Sequence, residues 1–330
     1  MNKSIEKLQN VNFLNQVEAS QLMSDIASNV YTEEDIKGIL LFYNKRFPTV
    51  DEFLGFRNAL LELAIPISFE MPVLDMCGTG GDGKNTFNIS TLAAFICAGA
   101  GVKVAKHGNY AFSSVSGSSN VLELLGIRFS SNPDLLSKGM DEANIAILHA
   151  PFFHPAMKAI GHIRKSLGVR TFFNLLGPLV NPCKPTFQVT GVYNKIIGDL
   201  YQQILKNTHT QFTILNAQDG YDEISLTSNI NVWTEKENYE LSYKKFVNMP
   251  FTFTDIQGGD SKEDAAKIFL EIIKGNGTQA QNEVSIANAA MGIALYKKIN
   301  IEEAIMEAQE SLFHKKAYNS FLTLKHITNS

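Results

Sequence analysis

Apolar positions in the first 66 residues recur every three or four places. Ala19, Leu22, Met23 and Ile26 form one stripe, and Ile36, Ile39, Leu40 and Tyr43 form another. That spacing belongs to helices with one buried face. Thr32 before Glu33-Glu34-Asp35 reads as a helix entry, with threonine as N-cap and acids in the first turn. Thr49-Val50-Asp51-Glu52 repeats the arrangement. Three or four short helices are predicted here, with no catalytic cluster among them.

The pattern changes after Pro66. MPVLDM (71–76) is a strand candidate, CGTGGDGKNT (77–86) a loop, and ISTLAAFICAGA (89–100) a helix of small residues. VKVAKH (102–107) alternates as a strand, GNYAFSSVSGSS (108–119) is a second small-residue loop, and a helix starts in 120–126. Candidate strands and helices then alternate over 144–148, 155–168, 187–193, 195–206 and 211–215, and helices are expected over 261–274, 283–298 and 301–312. Such alternation predicts an α/β fold with a mainly parallel sheet. A chain of 330 residues suggests about two domains.

Composition narrows the classes. Charged residues make up 19 % and hydrophobic ones 45 %, so the chain should bury a core. The net charge of −4 lacks any long single-sign block, which disfavours a nucleic-acid coat. No apolar run reaches the roughly 20 residues of a membrane span, and the first ten residues lack a signal-peptide core. Cys77, Cys97 and Cys183 form no CxxC or zinc pattern. A reducing cytoplasm is the expected compartment, with no membrane or nucleic-acid partner.

The loop over 77–88 carries the chemistry. Four glycines in six residues leave N–H groups unobstructed at the start of a helix, where the dipole also favours an anion. Gly78, Gly80 and Gly83 spell G-x-G-x-x-G, but the next strand ends in Lys106 and His107 where a dinucleotide site needs an acid. Gly78-x4-Gly83-Lys84 approaches a P-loop, but Asn85 stands where Ser or Thr should ligate Mg²⁺. A different phosphate cradle remains. Asn88, Ser90 and Thr91 open the helix, Lys106 closes the next strand, and Asn109, Ser113, Ser114 and Ser118 add short donors. Ligands of parallel sheets gather at carboxyl ends of strands. The two loops should therefore face each other around a ligand with more than one phosphate.

These blocks resemble the anthranilate phosphoribosyltransferase family. The resemblance rests on CGTGGDG (77–83), NIST (88–91), KHGN (106–109), Gly117-Ser118, HPAMK (154–158), RTFFNLLGPL (170–179), Asn181-Pro182 and DGYDEIS (219–225). It extends to the N-terminal helices and Asn288-Ala-Ala. It implies the nucleoside phosphorylase/phosphoribosyltransferase-like fold. A helical dimerisation domain over 1–66, joined by a helical segment near 165–183, would accompany an α/β domain over 67–330. It implies a homodimer, and transfer of phosphoribose from its diphosphate to anthranilate with two Mg²⁺ per subunit, the second stage of tryptophan biosynthesis.

By the same likeness, Gly78, Gly81, Asp82, Thr86, Asn88, Ile89, Ser90, Thr91, Lys106, His107, Gly108, Asn109, Ser113, Ser114 and Ser118 bind the sugar diphosphate. Gly78, Asn109 and Arg164 contact anthranilate. Asp222 and Glu223 bind magnesium, Ser90 assisting. No residue is assigned as acid or base; His107 and His154 lie in matching blocks without such a role. Without the loops upstream the Asp-Glu pair would read as a solvated turn, and from sequence alone Arg164 reads equally as a surface arginine.

Tyr110 replaces the family's usual arginine, Asn120 an aspartate, His162 a proline and Asn216 a histidine. The rival readings are a pyrimidine nucleoside phosphorylase and a non-catalytic nucleic-acid-binding relative of the same fold. The intact carboxylate pair speaks against both.

Overall fold

The computed structural model describes Leu8 and residues 13–110, 115–169 and 171–330. By its internal contacts the chain divides into two compact units, one holding residues up to Ile67 with Ala150–Pro182, the other Ser68–His149 with Cys183–Ser330.

The first unit is helical. Helices Gln16–Ala27, Glu33–Lys45 and Val50–Glu62 each start at a capping box, with Asn15, Thr32 and Thr49 as caps. The two predicted stripes are their buried faces. Gly55 lets two of these helices touch, because a Cβ there would strike Gln16 O and Ala19 Cβ. A short helix Ala150–Phe153, helix Pro155–Leu167 and two 3₁₀ turns, Phe172–Leu175 and Gly177–Leu179, also belong to the unit.

Glu52 is its buried charge. Arg46 grips it with two prongs (2.6 and 2.8 Å), Tyr43 OH donates at 3.0 Å, and Thr49 and Leu14 N–H groups donate at 2.8 and 3.1 Å. Burial would raise the Glu52 carboxyl, but Arg46 and the two N–H groups outweigh it and hold it below the usual 4.5. A depressed carboxylate contributes stability that is complete above its unfolded value and lost as pH falls through the folded one. Glu52→Gln should therefore cost about 3 kcal/mol at pH 7, the lower end for a broken buried pair because Arg46 reaches water. The loss should shrink below pH 4.5. Urea denaturation at pH 7 and pH 3.5 measures both, and an equal loss at the two values would contradict the ion-pair account.

The second unit is built on a seven-stranded sheet ordered β3-β2-β1-β4-β5-β6-β7. Its strands are β1 (Leu74–Gly78), β2 (Val104–Gly108), β3 (Ile145–His149), β4 (Phe187–Gly191), β5 (Gln211–Ala217), β6 (Ile230–Thr234) and β7 (Asn238–Leu241). The first five are parallel, and β6 and β7 are antiparallel additions at one edge. Helix Ile89–Gly99, apolar nearly all round, is buried against Gln279–Lys297.

Two expectations need correction. The first strand runs two residues further than predicted, because Cys77 and Gly78 pair with Thr190 and Gly191 of β4 and are strand, not loop. Likewise β2 extends through Gly108. Helices Pro133–Glu142 and Lys316–Asn329 and the β6–β7 hairpin were not anticipated.

Candidate active site

Sheet order reverses at β1, which has β2 on one side and β4 on the other. At such a switch point the loops leaving the strands part, and a crevice opens at their carboxyl ends. Gly78 ends β1 and Gly191 ends β4, paired in register. Asp222 fills the space above them. A Cβ on Gly191 would strike the Asp222 carbonyl, and one on Gly78 would come within 2.5 Å of Asp222 Oδ2. Two strand-end glycines are thus required by the close approach of the acidic turn.

The glycine loop turns through Gly80, Gly81 and Gly83, all at positive φ. Gly80 N–H donates to Asp222 Oδ2 at 2.6 Å. Ser90 N–H, in the first turn of helix Ile89–Gly99, donates to Glu223 Oε1 at 2.9 Å. The loop and the Asp222-Glu223 turn are therefore tied together at both carboxylates. Lys84 adds a third link, its ammonium 4.7 Å from the centre of the Tyr221 ring. Asp82 accepts from Lys84 N–H (2.9 Å) and interacts with Asp222.

This crowding has an electrostatic result. Burial, then the charges of Glu223 and Asp82, push the Asp222 carboxyl well above the usual range. Burial, against the hydrogen bond from Ser90 and with Asp82 alongside, pushes Glu223 up to about 7. Lys106 offsets only part of this at Glu223, so the pair is short of positive charge, which a divalent cation would supply. Among the described residues no three acidic, histidine or cysteine side chains form a metal cage. Two carboxylates suit Mg²⁺, which keeps waters and shares its shell with substrate phosphates. The residues fit that ion.

The remaining predicted residues are placed as follows. Asn88 Nδ2 donates to Ser116 O (3.2 Å), joining the two loops as expected. Thr86 bridges Gln257, and Thr91 is buried. The Ile89 side chain lies in the core and its N–H donates to Phe87 O. Lys106 is buried, its ammonium 2.6 Å from Met76 O. His107 N–H donates to Asp75 (3.1 Å). Gly108 admits Ser118, whose Oγ a Cβ would meet at 2.7 Å. Ser118 Oγ donates to Asn109 O. Ser113 and Ser114 lie outside the described residues.

Arg164 belongs to the helical unit. It is largely withdrawn from water, which lowers its pKa to about 10, so it stays cationic at neutral pH. Its Nη2 reaches Asn174 Oδ1 (3.4 Å), and the guanidinium lies 5.5 Å from the Phe173 ring centre. His154, in the same unit, is pushed down by burial. Of the other departures from the resemblance, His162 pairs with Glu33 at 2.9 Å, Asn120 Oδ1 accepts from Gly117 N–H at 3.1 Å, and Asn216 donates to Val192 O at 2.9 Å.

Three contributors escaped the sequence reading. Gly191 is one. The segment 256–259 is another: Gly258 N–H donates to Asn85 O (2.8 Å) and Asn85 Nδ2 to Gly259 O (2.7 Å), holding the glycine loop from behind. The third is the role of buried Asn288, which accepts from Ile224 N–H (3.0 Å) and donates to Ile224 O (2.8 Å). It clamps the peptide that follows Glu223. Asn288→Ala leaves two buried backbone groups unpaired, at about 1–3 kcal/mol each. It is expected to lower the melting temperature and to cut kcat at least tenfold. Loss of stability with full activity would limit Asn288 to the fold.

Residues 70–318 match the family described as glycosyl transferase family, a/b domain. The chain is 47 % identical to the anthranilate phosphoribosyltransferase of Flavobacterium johnsoniae, over 99 % of this chain and all of that one. It is 45 % identical to the enzyme of the same name from Bacteroides thetaiotaomicron over the whole of both. Among solved structures it resembles anthranilate phosphoribosyltransferase from Thermus thermophilus, with a TM-score of 0.93 and 30 % identity, covering all of both chains. The Saccharomyces cerevisiae enzyme in complex with PRPP and Mg has a TM-score of 0.88 and 26 % identity, over 96 % of this chain and 94 % of that one.

Proposed function

The chain belongs to the anthranilate phosphoribosyltransferase family, and from that premise we infer that it transfers the phosphoribosyl group of 5-phosphoribosyl 1-diphosphate to the amine of anthranilate. Pyrophosphate is released, and the reaction is the second stage of tryptophan biosynthesis. The observation that carries this reading is the double tie between glycine loop and acidic turn, Gly80 N–H to Asp222 and Ser90 N–H to Glu223.

Breaking the C1–O bond leaves positive charge on the ribose and negative charge on the departing diphosphate. The loop N–H groups not tied to Asp222, Asp82 and Glu223, and the dipole at the N-terminus of helix Ile89–Gly99, favour that anion, with Asn88, Thr91, Asn109 and Ser118 as its side-chain partners. Asp222, Glu223 and Ser90 would hold Mg²⁺, two ions per subunit, which when bound neutralise the leaving group. Arg164 pairs with the anthranilate carboxylate, Gly78 and Asn109 completing the acceptor contacts. The aromatic amine is already neutral, so positioning carries the attack and no base is needed.

The test is the loss of anthranilate fluorescence on adding the sugar diphosphate and Mg²⁺. Phosphorolysis of thymidine in its place would favour the nucleoside phosphorylase reading.

A homodimer formed through the helical unit is part of this proposal. Exposed Val17, Val30 and Phe47 supply apolar surface there, and isologous dimers are the commonest assembly. Light scattering at micromolar concentration is expected to give twice the chain mass; a monomer would contradict it. No helix among the described residues is long and apolar enough to cross a membrane, and none of the three cysteines forms a disulfide. Both features fit a cytoplasmic enzyme.

A further inference from the structure

Asn109 belongs to a closed ring of contacts with Tyr110, His149 and Ser119, none of which has a part in the chemistry above. Its Oδ1 accepts from Tyr110 N–H at 2.8 Å. Its carbonyl accepts from Ser119 N–H at 3.2 Å and Ser118 Oγ at 3.3 Å. The Tyr110 ring meets the His149 imidazole edge to face, centroids 4.8 Å apart at 81°. His149 Nδ1 lies 2.9 Å from Ser119 Oγ, which closes the ring.

Two outside contacts hold the ring in place. His149 stacks on Phe129 (4.4 Å, 17°), and Tyr110 OH donates to Glu123 at 3.2 Å. The circuit thus joins the end of β2, the end of β3 and helix Ser118–Leu124. His149 is buried, and that burial lowers its pKa to about 4. It is a neutral ring at pH 7, and shape is what it offers.

We propose that Tyr110 and His149 are positioning residues that set the chain leaving β2, so that Asn109 and Ser118 face the sugar diphosphate. This rests on the diphosphate reading of those two residues. Tyrosine suits the task because its ring packs on His149 while its hydroxyl reaches Glu123. Without the ring, Asn109 keeps its own hydrogen bonds but loses the brace that fixes their direction.

The experiment compares Tyr110→Ala, Tyr110→Phe, His149→Ala and the double alanine variant in steady-state kinetics, with melting temperatures alongside. Tyr110→Ala is expected to raise the KM for the sugar diphosphate about tenfold, the scale of one aromatic contact plus one hydrogen bond. The kcat and the anthranilate KM should move by less than about threefold, because neither brace residue touches the reacting atoms. Tyr110→Phe keeps the ring and should recover most of the loss. The double variant should be no worse than the poorer single one, since both remove the same brace.

Tyr110 is exposed, so its alanine variant remains readable even if His149→Ala fails to fold. An unchanged diphosphate KM in Tyr110→Ala would overturn the proposal, as would equal losses in kcat and both KM values or additive effects in the double variant. If the wild type consumes no anthranilate, the functional reading fails instead. Calorimetric binding of the sugar diphosphate to wild type and Tyr110→Ala then decides the positioning role by itself, equal affinities overturning it.

Discussion

Asp222→Asn combined with Glu223→Gln is expected to lower kcat/KM by about a thousandfold or more. Neutralising a departing diphosphate is worth several kcal/mol of transition-state stabilisation, and each 1.4 kcal/mol is tenfold. Both changes preserve shape. An amide oxygen can still accept from Gly80 N–H and Ser90 N–H, the bonds that hold loop and turn together. The fold should therefore survive, and the melting temperature should hold or rise at pH 7, because neutral amides replace two buried carboxyl groups whose ionisation burial and mutual repulsion oppose. Calorimetry should find no Mg²⁺ binding beyond that of the sugar diphosphate itself. Near-wild-type turnover at saturating Mg²⁺ would remove these two residues from the metal site.

Arg164→Ala is expected to raise the anthranilate KM ten- to hundredfold while the diphosphate KM changes much less. A hydrogen bond to a charged group is worth about 1.5–3 kcal/mol, and more when its loss leaves a carboxylate unpaired. Arg164 suits the role because its guanidinium is largely withdrawn from water yet still cationic at neutral pH. Phe173 and Asn174 hold its plane, so a two-pronged contact is preorganised. Fluorescence kinetics with each substrate varied in turn measures both constants. Equal shifts would show that Arg164 supports the helical unit. No shift in either would leave the anthranilate carboxylate without its proposed partner.

Local chemistry was legible along the chain. Thr32 and Thr49 announced their helices because a capping box involves only residues three apart. The stripe Ile36, Ile39, Leu40 and Tyr43 announced its buried face for the same reason. The helix Pro133–Glu142 also carries a local signal, Asn132-Pro133, which lies outside any apolar periodicity. The antiparallel edge was less readable, since β7 alternates too weakly to stand out, with three of its four residues exposed. The strand end at Cys77-Gly78 was hidden for another reason. Glycines there look like loop until Thr190 and Gly191 are known to lie alongside.

The site divides in the same way. Sequence by itself determined its parts: a glycine loop at a helix start, short donors, and an Asp-Glu pair that without those loops would read as a solvated turn. Only the tertiary structure decided that Asp222, 142 residues from Gly80, accepts that glycine's N–H. Only it showed that Gly191 is glycine to admit the Asp222 carbonyl, and that Asn288 clamps the next peptide. Capping and amphipathic spacing are set within one or two helical turns, so they can be read from neighbouring residues. A bond across the sheet depends on strand order, on where the order reverses, and on which side chains are small enough to let backbones meet.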